Sequence, residues 1–304
     1  MYDLKQRISS VMDDADENEV FLRRLRNLLP NETQDIIAVF ILLLALPVGF
    51  LIEIFIILPT THETFTEGWF WRVGILFLLG INAYLNVYKM KTVGPNGLIS
   101  DLPALMKPGF HYCHNCQLNV PPRSHHCPVC DKCSFRRDHH CSFAAVCVGH
   151  FNQRYFIAAV INLWIVTVVV LTWNWTFMWS ALGNFSLLQY WQIFLPHLAL
   201  FFRFLSLSQF FSVMVFVLTM TTLMFITYLA AAQIFCLYRG QTRVEYLLDV
   251  HAYNLGFLNN VRQALGRKWV LTFFSPFISS PLESDGLSYH TKGSEPVAET
   301  TKTL

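Results

Sequence analysis

The sequence predicts an all-α polytopic membrane protein, with four transmembrane helices and a small cysteine-rich cytosolic domain between the second and third. Three observations carry this. The chain is 54% hydrophobic and 14% charged over 304 residues, with a mean hydropathy of +0.40, more apolar than an ordinary soluble domain. There is no Asp, Glu, Lys or Arg from Tyr155 to Phe202, or from Phe204 to Tyr238, and each stretch exceeds the roughly 20 residues a spanning helix needs. Seven of the eight cysteines and seven of the eleven histidines fall within residues 89–154.

In chain order, residues 1–35 read as a cytosolic arm with an acidic run, "DDADENE", and a basic apolar end, "VFLRRLRNLLP", suited to lie on a membrane surface. This arm is polar and does not read as a cleaved signal peptide. Residues 36–88 hold the first two spans, Ile36 to Pro59 and Trp69 to Tyr88, interrupted by Glu53 and Arg72; Glu53, costly in lipid, reads either as a functional group or as a residue that reaches water near the lumenal end of its helix. Residues 89–154 form the cysteine-rich domain, with a core at 111–156. Residues 155–238 hold spans three and four, joined by an aromatic lumenal connection at about 180–208. Residues 239–283 are cytosolic, and 284–304 are expected to be a disordered tail. Asn174 and Asn184 lie in sequons. No internal repeat is expected.

The 22 Lys and Arg residues set the orientation. Five lie in 1–35, eight in 89–154 and seven in 239–304, against one in 180–208 and none in 60–68. The positive-inside rule therefore places both termini and the cysteine-rich domain in the cytoplasm. A net charge of +2 gives no sign of a nucleic-acid partner.

In a reducing compartment, clustered cysteines argue for metal rather than disulfides. The donors run Cys113-x2-Cys116, His125-His126-Cys127-x2-Cys130-x2-Cys133, Asp138-His139-His140-Cys141 and Cys147, which suffice for two four-ligand zinc sites with donors to spare. A linear division gives Cys113, Cys116, His126, Cys127 and then Cys130, Cys133, His140, Cys141, leaving Cys147 idle. An interleaved division gives Cys113, Cys116, His126, Cys133 and then Cys127, Cys130, His140, Cys147, leaving Cys141 free. Spacing alone does not choose between them.

Residues 113–156, "CHNCQLNVPPRSHHCPVCDKCSFRRDHHCSFAAVCVGHFNQRYF", resemble the cysteine-rich domain of the DHHC protein S-acyltransferases in spacing as well as residue type. Gly149, Asn152 and Phe156 match the family's G-x2-N-x3-F, and "YNLGFLNNVRQALG" at 253–266 is similar to its C-terminal motif, with Asn260 as the matching Asn. The chain departs from the family at Gly94-Pro95-Asn96-Gly97 in place of Asp-Pro-Gly. It departs again at Ser142 to Val146 after the quartet, at Arg243 in Thr242-Arg243-Val244-Glu245, and at Asn254 in place of Asp.

The resemblance implies two structural zinc ions held by the interleaved ligand sets, with His140 a ligand and Cys141 the nucleophile. It further implies palmitoyl transfer from acyl-CoA, through an acyl-enzyme on Cys141, to cysteines of cytosol-facing proteins near the membrane lipid. His139 then serves as the base and Asp138 orients it. Arg123, His125, Lys132, Arg136 and Arg137 are expected to meet the CoA phosphates, and the expected location is the Golgi or endoplasmic reticulum membrane. A catalytically silent scaffold has no use for a free Cys141, and a RING-type ligase ends in a C-x2-C pair that the lone Cys147 does not supply.

Overall fold

The computed structural model of the chain describes residues 30, 32–97, 102, 107–183 and 186–292. The arm before residue 30, Asn184 and the end of the tail lie outside the described residues. Helix α1 (Thr33–Ile52) runs on through a π-helical turn, Glu53–Ile57, and a 3-10 turn, Leu58–Thr60. Helix α2 (Glu67–Val93) starts where the Thr66 hydroxyl accepts from Trp69 N and stops at Gly94, whose φ of 68° only glycine adopts without strain. Helix α3 (Gln153–Leu182) packs against α2 on one side and against the fourth long helix on the other.

The connection after α3 is not a free loop. It contains two short helices, α4 (Tyr190–Phe194) and α5 (Pro196–Phe201). Ile193, Ala199 and Leu205 from this stretch pack on Met178, Trp179 and Leu182. The fourth long helix, α6 (Leu207–Arg239), opens with a Ser206–Gln209 capping box and ends at Gly240. These four long elements are the helices sufficiently long and apolar to cross a membrane among the described residues. Phe40, Leu43, Trp71, Leu78, Leu218 and Met224 stand exposed on them, which suits hydrocarbon rather than water as solvent.

Glu53 does not reach water: it is buried at the π-helical turn, with Asn174 of α3 as its side-chain partner. Asn174 is itself buried and donates to the Thr219 hydroxyl at 2.8 Å, so its sequon faces the bundle interior.

Between α2 and α3 lie three antiparallel two-stranded hairpins: β1 (His111–Cys113) with β2 (Leu118–Val120), β3 (His125–Cys127) with β4 (Lys132–Ser134), and β5 (His139–Cys141) with β6 (Val146–Val148). They are one unit repeated every 14 residues, contrary to the expectation of no repeat. Cys113, Cys127 and Cys141 occupy one position; Cys116, Cys130 and Ala144 the next; and Tyr112, His126 and His140 a third. Each turn closes on a residue in the left-handed region at an equivalent place, Gln117, Asp131 and Ala145, with φ of 52°, 49° and 47°. Divergence of side chains hides the repeat in the sequence; the shared turn geometry exposes it.

After α6 come α7 (Arg243–Leu247), α8 (Phe257–Leu265) and a 3-10 turn, Trp269–Phe273. Asn82 of α2 and Asn162 of α3 both donate to the Phe273 carbonyl, at 2.8 and 3.1 Å, fastening this turn to the bundle.

The expected disordered tail is corrected over its first part: residues 284–292 pack as a strap across the hairpin domain. His150 donates from Nε2 to the Ser284 carbonyl at 3.0 Å, and the Tyr289 ring stands edge-on to it. Gly286, at φ 83°, approaches so closely that a Cβ would sit 2.9 Å from the imidazole. Burial, aided by the Arg136 charge, holds the His150 pKa down to about 4. Arg123, Asp285 and Tyr289 are the other titratable groups around it. A histidine kept neutral by folding contributes stability above its unfolded pKa of about 6.5, and that contribution is lost as pH falls toward the folded value. Amide exchange in 284–292 is therefore expected to accelerate between about pH 6.5 and 4, and His150→Phe is expected to flatten that dependence. Exchange mass spectrometry across this range is the check.

Candidate active site

The repeat bears directly on the ligand division left open by spacing. Neighbouring residues in a strand point to opposite faces, so His126 and Cys127 cannot serve one ion, and neither can His140 and Cys141. Within a hairpin, however, directly paired residues share a face, and the register pairs His126 with Cys133 and His140 with Cys147. Each pair meets the Cys-x2-Cys turn of the preceding hairpin. The structure gathers Cys113, Cys116, His126 and Cys133 into one cluster and Cys127, Cys130, His140 and Cys147 into another, with the donor atoms of each within 4.8 Å of one another. The middle hairpin serves both clusters, one from each face.

Both histidines present Nδ1 to the sulfurs: His126 to Cys116 at 3.3 Å, and His140 to Cys130 and Cys127 at 3.2 and 3.8 Å. The Cys130 and Cys147 sulfurs are 3.7 Å apart. Metal–ligand bonds of about 2.0–2.3 Å in a tetrahedron require edges of roughly 3.3–3.8 Å, so the donor sets fit zinc. Three hairpins make two such junctions, and the turn of the third hairpin is left over. That turn carries Ala144 where the others carry their second cysteine, and its remaining cysteine is Cys141.

Cys141 belongs to the apolar cluster formed with Ala144, Val146, Ile226 and Ala230. His139, two residues before it, shares its face. The imidazole donates from Nδ1 to Asp138 Oδ2 at 2.8 Å and meets the Phe156 ring edge to face, with centroids 4.8 Å apart. Burial lowers the proton affinity of His139, but the hydrogen bonds and charges of Asp138 and Cys141 outweigh it and push the pKa up to about 9. Asp138 shows the complementary balance: burial raises its pKa, and its partners hold the carboxyl below the usual range. Those partners use both oxygens, since Oδ2 also accepts from Gln233 Nε2 at 2.8 Å and Oδ1 accepts from the Arg243 backbone N at 2.7 Å.

Behind Asp138 runs a buried chain missed in the sequence. Gln233 accepts from Gln153 Nε2 at 3.1 Å, and Gln153 Oε1 accepts from Arg136 Nη1 at 2.5 Å. Glutamines inside apolar helices were the available signal, because a buried amide needs a partner. The Gly149, Asn152 and Phe156 motif also acquires a physical reason. A Cβ on Gly149 would meet the Phe135 carbonyl at 2.4 Å, Asn152 ties the Cys147 carbonyl to the Met90 carbonyl, and Phe156 walls His139.

The expected CoA-phosphate residues divide. Arg123 is corrected: its side chain is fully buried and makes a two-pronged pair with Glu245, at 2.5 and 2.7 Å, beneath the Tyr253 ring. Arg136 is corrected too, being buried against Gln153. Arg137 is half-buried, with Cys147 and Cys127 as side-chain partners. His125 is half-buried and Lys132 exposed.

The sequence departures keep their contacts. Asn96 donates to the Cys133 carbonyl and accepts from Phe135 N, and Asn254 accepts from Asn260 as an aspartate would. Arg243 reaches Asp138 through its backbone alone; its guanidinium goes to the Tyr228 hydroxyl at 3.2 Å. Arg243→Thr is therefore expected to leave turnover within about threefold, whereas Arg243→Pro removes the N–H donor. Proline is tolerated at the first position of α7, since Thr242 before it is already extended at φ −86° and ψ 167°. Loss of one charge-assisted bond of about 1.5–3 kcal/mol should slow Arg243→Pro roughly 10- to 100-fold, measured as single-turnover acylation with zinc content unchanged.

Four helices long and apolar enough to cross a membrane flank a hairpin domain that holds two Cys/His clusters able to bind metal and, outside both clusters, a cysteine beside a carboxylate-held histidine. Residues 107–250 match the family model described as DHHC palmitoyltransferase. It is 36% identical over 193 residues to the probable palmitoyltransferase ZDHHC24 of Mus musculus, covering 61% of this chain and 66% of the relative. The Homo sapiens and Danio rerio proteins of that name are 36% identical over 187 residues and 34% identical over 186 residues, covering 60% of this chain and 65% and 62% of their own lengths. The chain thus spans just under two thirds of the relatives it matches.

Proposed function

We propose that the protein is a zinc-dependent protein S-palmitoyltransferase of the endomembrane system, with Cys141 facing the cytoplasm. The observation that carries this is the strand alternation that turns Cys141 away from the metal cluster and toward His139. In the first half-reaction the Cys141 sulfur attacks the thioester carbon of a long-chain acyl-CoA; the bond from that carbon to the CoA sulfur breaks, and an acyl-enzyme forms. His139, its Nδ1–H held by Asp138, already carries the Cys141 proton on Nε2 as an imidazolium beside the attacking thiolate, and it gives that proton to the departing CoA sulfur. In the second, the sulfur of a protein cysteine near the membrane attacks the same carbon, the bond from that carbon to the Cys141 sulfur breaks, and the substrate thiol's proton passes to His139 as Cys141 leaves. Zinc ions at the two clusters would hold the hairpins at fixed spacing, with full ligand shells and no part in bond making. The apolar surroundings of Cys141 suit an acyl chain, and exposed Lys132 suits a CoA phosphate.

The test is incubation of the purified protein with labelled palmitoyl-CoA. Label on Cys141, released by neutral hydroxylamine, is expected. A folded two-zinc protein that takes up no label would favour the scaffold reading.

A further inference from the structure

The metal-facing histidines have a second nitrogen, and the two are treated differently. His126 points Nε2 toward Asp131 of its own hairpin, at 3.8 Å, and that carboxylate is 94% exposed. The position 14 residues later, which would serve His140, is Ala145. The third hairpin has therefore lost its local carboxylate.

Its place is taken from outside the domain. His140 Nε2 lies 2.9 and 3.2 Å from the two carboxylate oxygens of Asp35, and Asp35 is only 4% exposed. Asp35 stands in the first turn of α1, where the free N–H groups at the helix start favour an anion. A hollow of about 300 Å³ opens beside the pair, lined by Glu32, Thr33, Gln34, Val129 and Ser142 as well as the pair itself, so solvent reaches this cluster from the α1 side.

We infer that Asp35 is a positioning residue for the second metal cluster: its carboxylate holds the Nε2–H of His140, which fixes Nδ1 as the donor toward Cys127, Cys130 and Cys147. A histidine ligand anchored in this way keeps its tautomer and ring orientation, and loss of such a partner typically lowers metal affinity about 10- to 100-fold. The arrangement also links the ion next to the catalytic strand to the docking of the first membrane helix. His140 and Cys141 are adjacent, so the seating of α1 bears on the geometry of the nucleophile.

This inference rests on the two-zinc reading proposed above, and the experiment separates the two. Zinc release from the detergent-purified full chain to an excess of chromogenic chelator is followed, after the total zinc has been counted. Wild-type protein is expected to release two ions; fewer than two would overturn the zinc reading itself. Asp35→Asn keeps the side-chain volume and removes the charge, so a packing role would survive it. For a positioning role, one of the two ions is expected to leave about 10- to 100-fold faster while the other keeps its wild-type rate. Asp35→Ala is expected to release that same ion at least as fast, or to be isolated with one ion only. Wild-type release of both ions from Asp35→Asn and Asp35→Ala would overturn the inference.

Discussion

Cys141→Ser is expected to abolish acyl-enzyme formation and palmitoyl transfer while both zinc ions stay bound. The substitution changes one atom on the face of β5 turned away from His140 and Cys147, so neither metal cluster loses a donor. A serine hydroxyl is a far weaker nucleophile at neutral pH than a thiol assisted by a neighbouring imidazole. Turnover should fall to the background of uncatalysed exchange, and zinc should remain at two per chain by elemental analysis. Loss of one ion in Cys141→Ser would mean that this sulfur is a ligand, and the proposed mechanism would lose its nucleophile. His139→Ala should act differently, lowering the acylation rate by about 10²- to 10⁴-fold, the range for a lost general base, with both ions in place.

Cys147→Ser is expected to remove one zinc ion and, with it, the folded third hairpin. A structural zinc site contributes its binding free energy to folding, about 10–16 kcal/mol in small zinc domains, more than the net stability of most proteins. Cys147 pairs across β5 and β6 with His140, and the same two strands carry Asp138 N to the Val148 carbonyl at 2.9 Å. When this site empties, Asp138, His139 and Cys141 lose their common frame, so activity should vanish although none of the three is altered. Cys133→Ser should remove the other ion. The measurements are zinc content and hydrogen exchange of residues 139–148, and a Cys147→Ser protein retaining two ions and wild-type protection there would refute the assignment.

Much of the architecture was legible before any coordinates. Uncharged runs of more than 30 residues have no stable place in water, so 155–202 and 204–238 declared membrane helices by composition alone. The crowding of thiols and imidazoles into 111–147 declared metal for the same kind of reason: the donor types suffice, whatever their order. The helix ends were less legible: composition carries the second and fourth spans to Tyr88 and Tyr238, whereas the helices run on to glycine caps at Gly94 and Gly240.

What the sequence by itself determined, then, is the inventory: four candidate spans, and in the loop enough thiols and imidazoles for two four-ligand sites with one of its seven thiols in excess. Which thiol is in excess was decided by tertiary structure, because strand pairing places His140 beside Cys147 and the pleat sends Cys141 to the other face. The fate of the basic residues was also beyond linear reading. Arg123 finds Glu245 across 122 positions, and a charge that meets its partner only in the folded chain looks like a free cation in the sequence. The same holds for Gln233 with Asp138 and for Asp35 with His140, 95 and 105 residues apart. Local pattern reports what a residue can bond; only the packing of distant helices on the hairpins determines what it does bond.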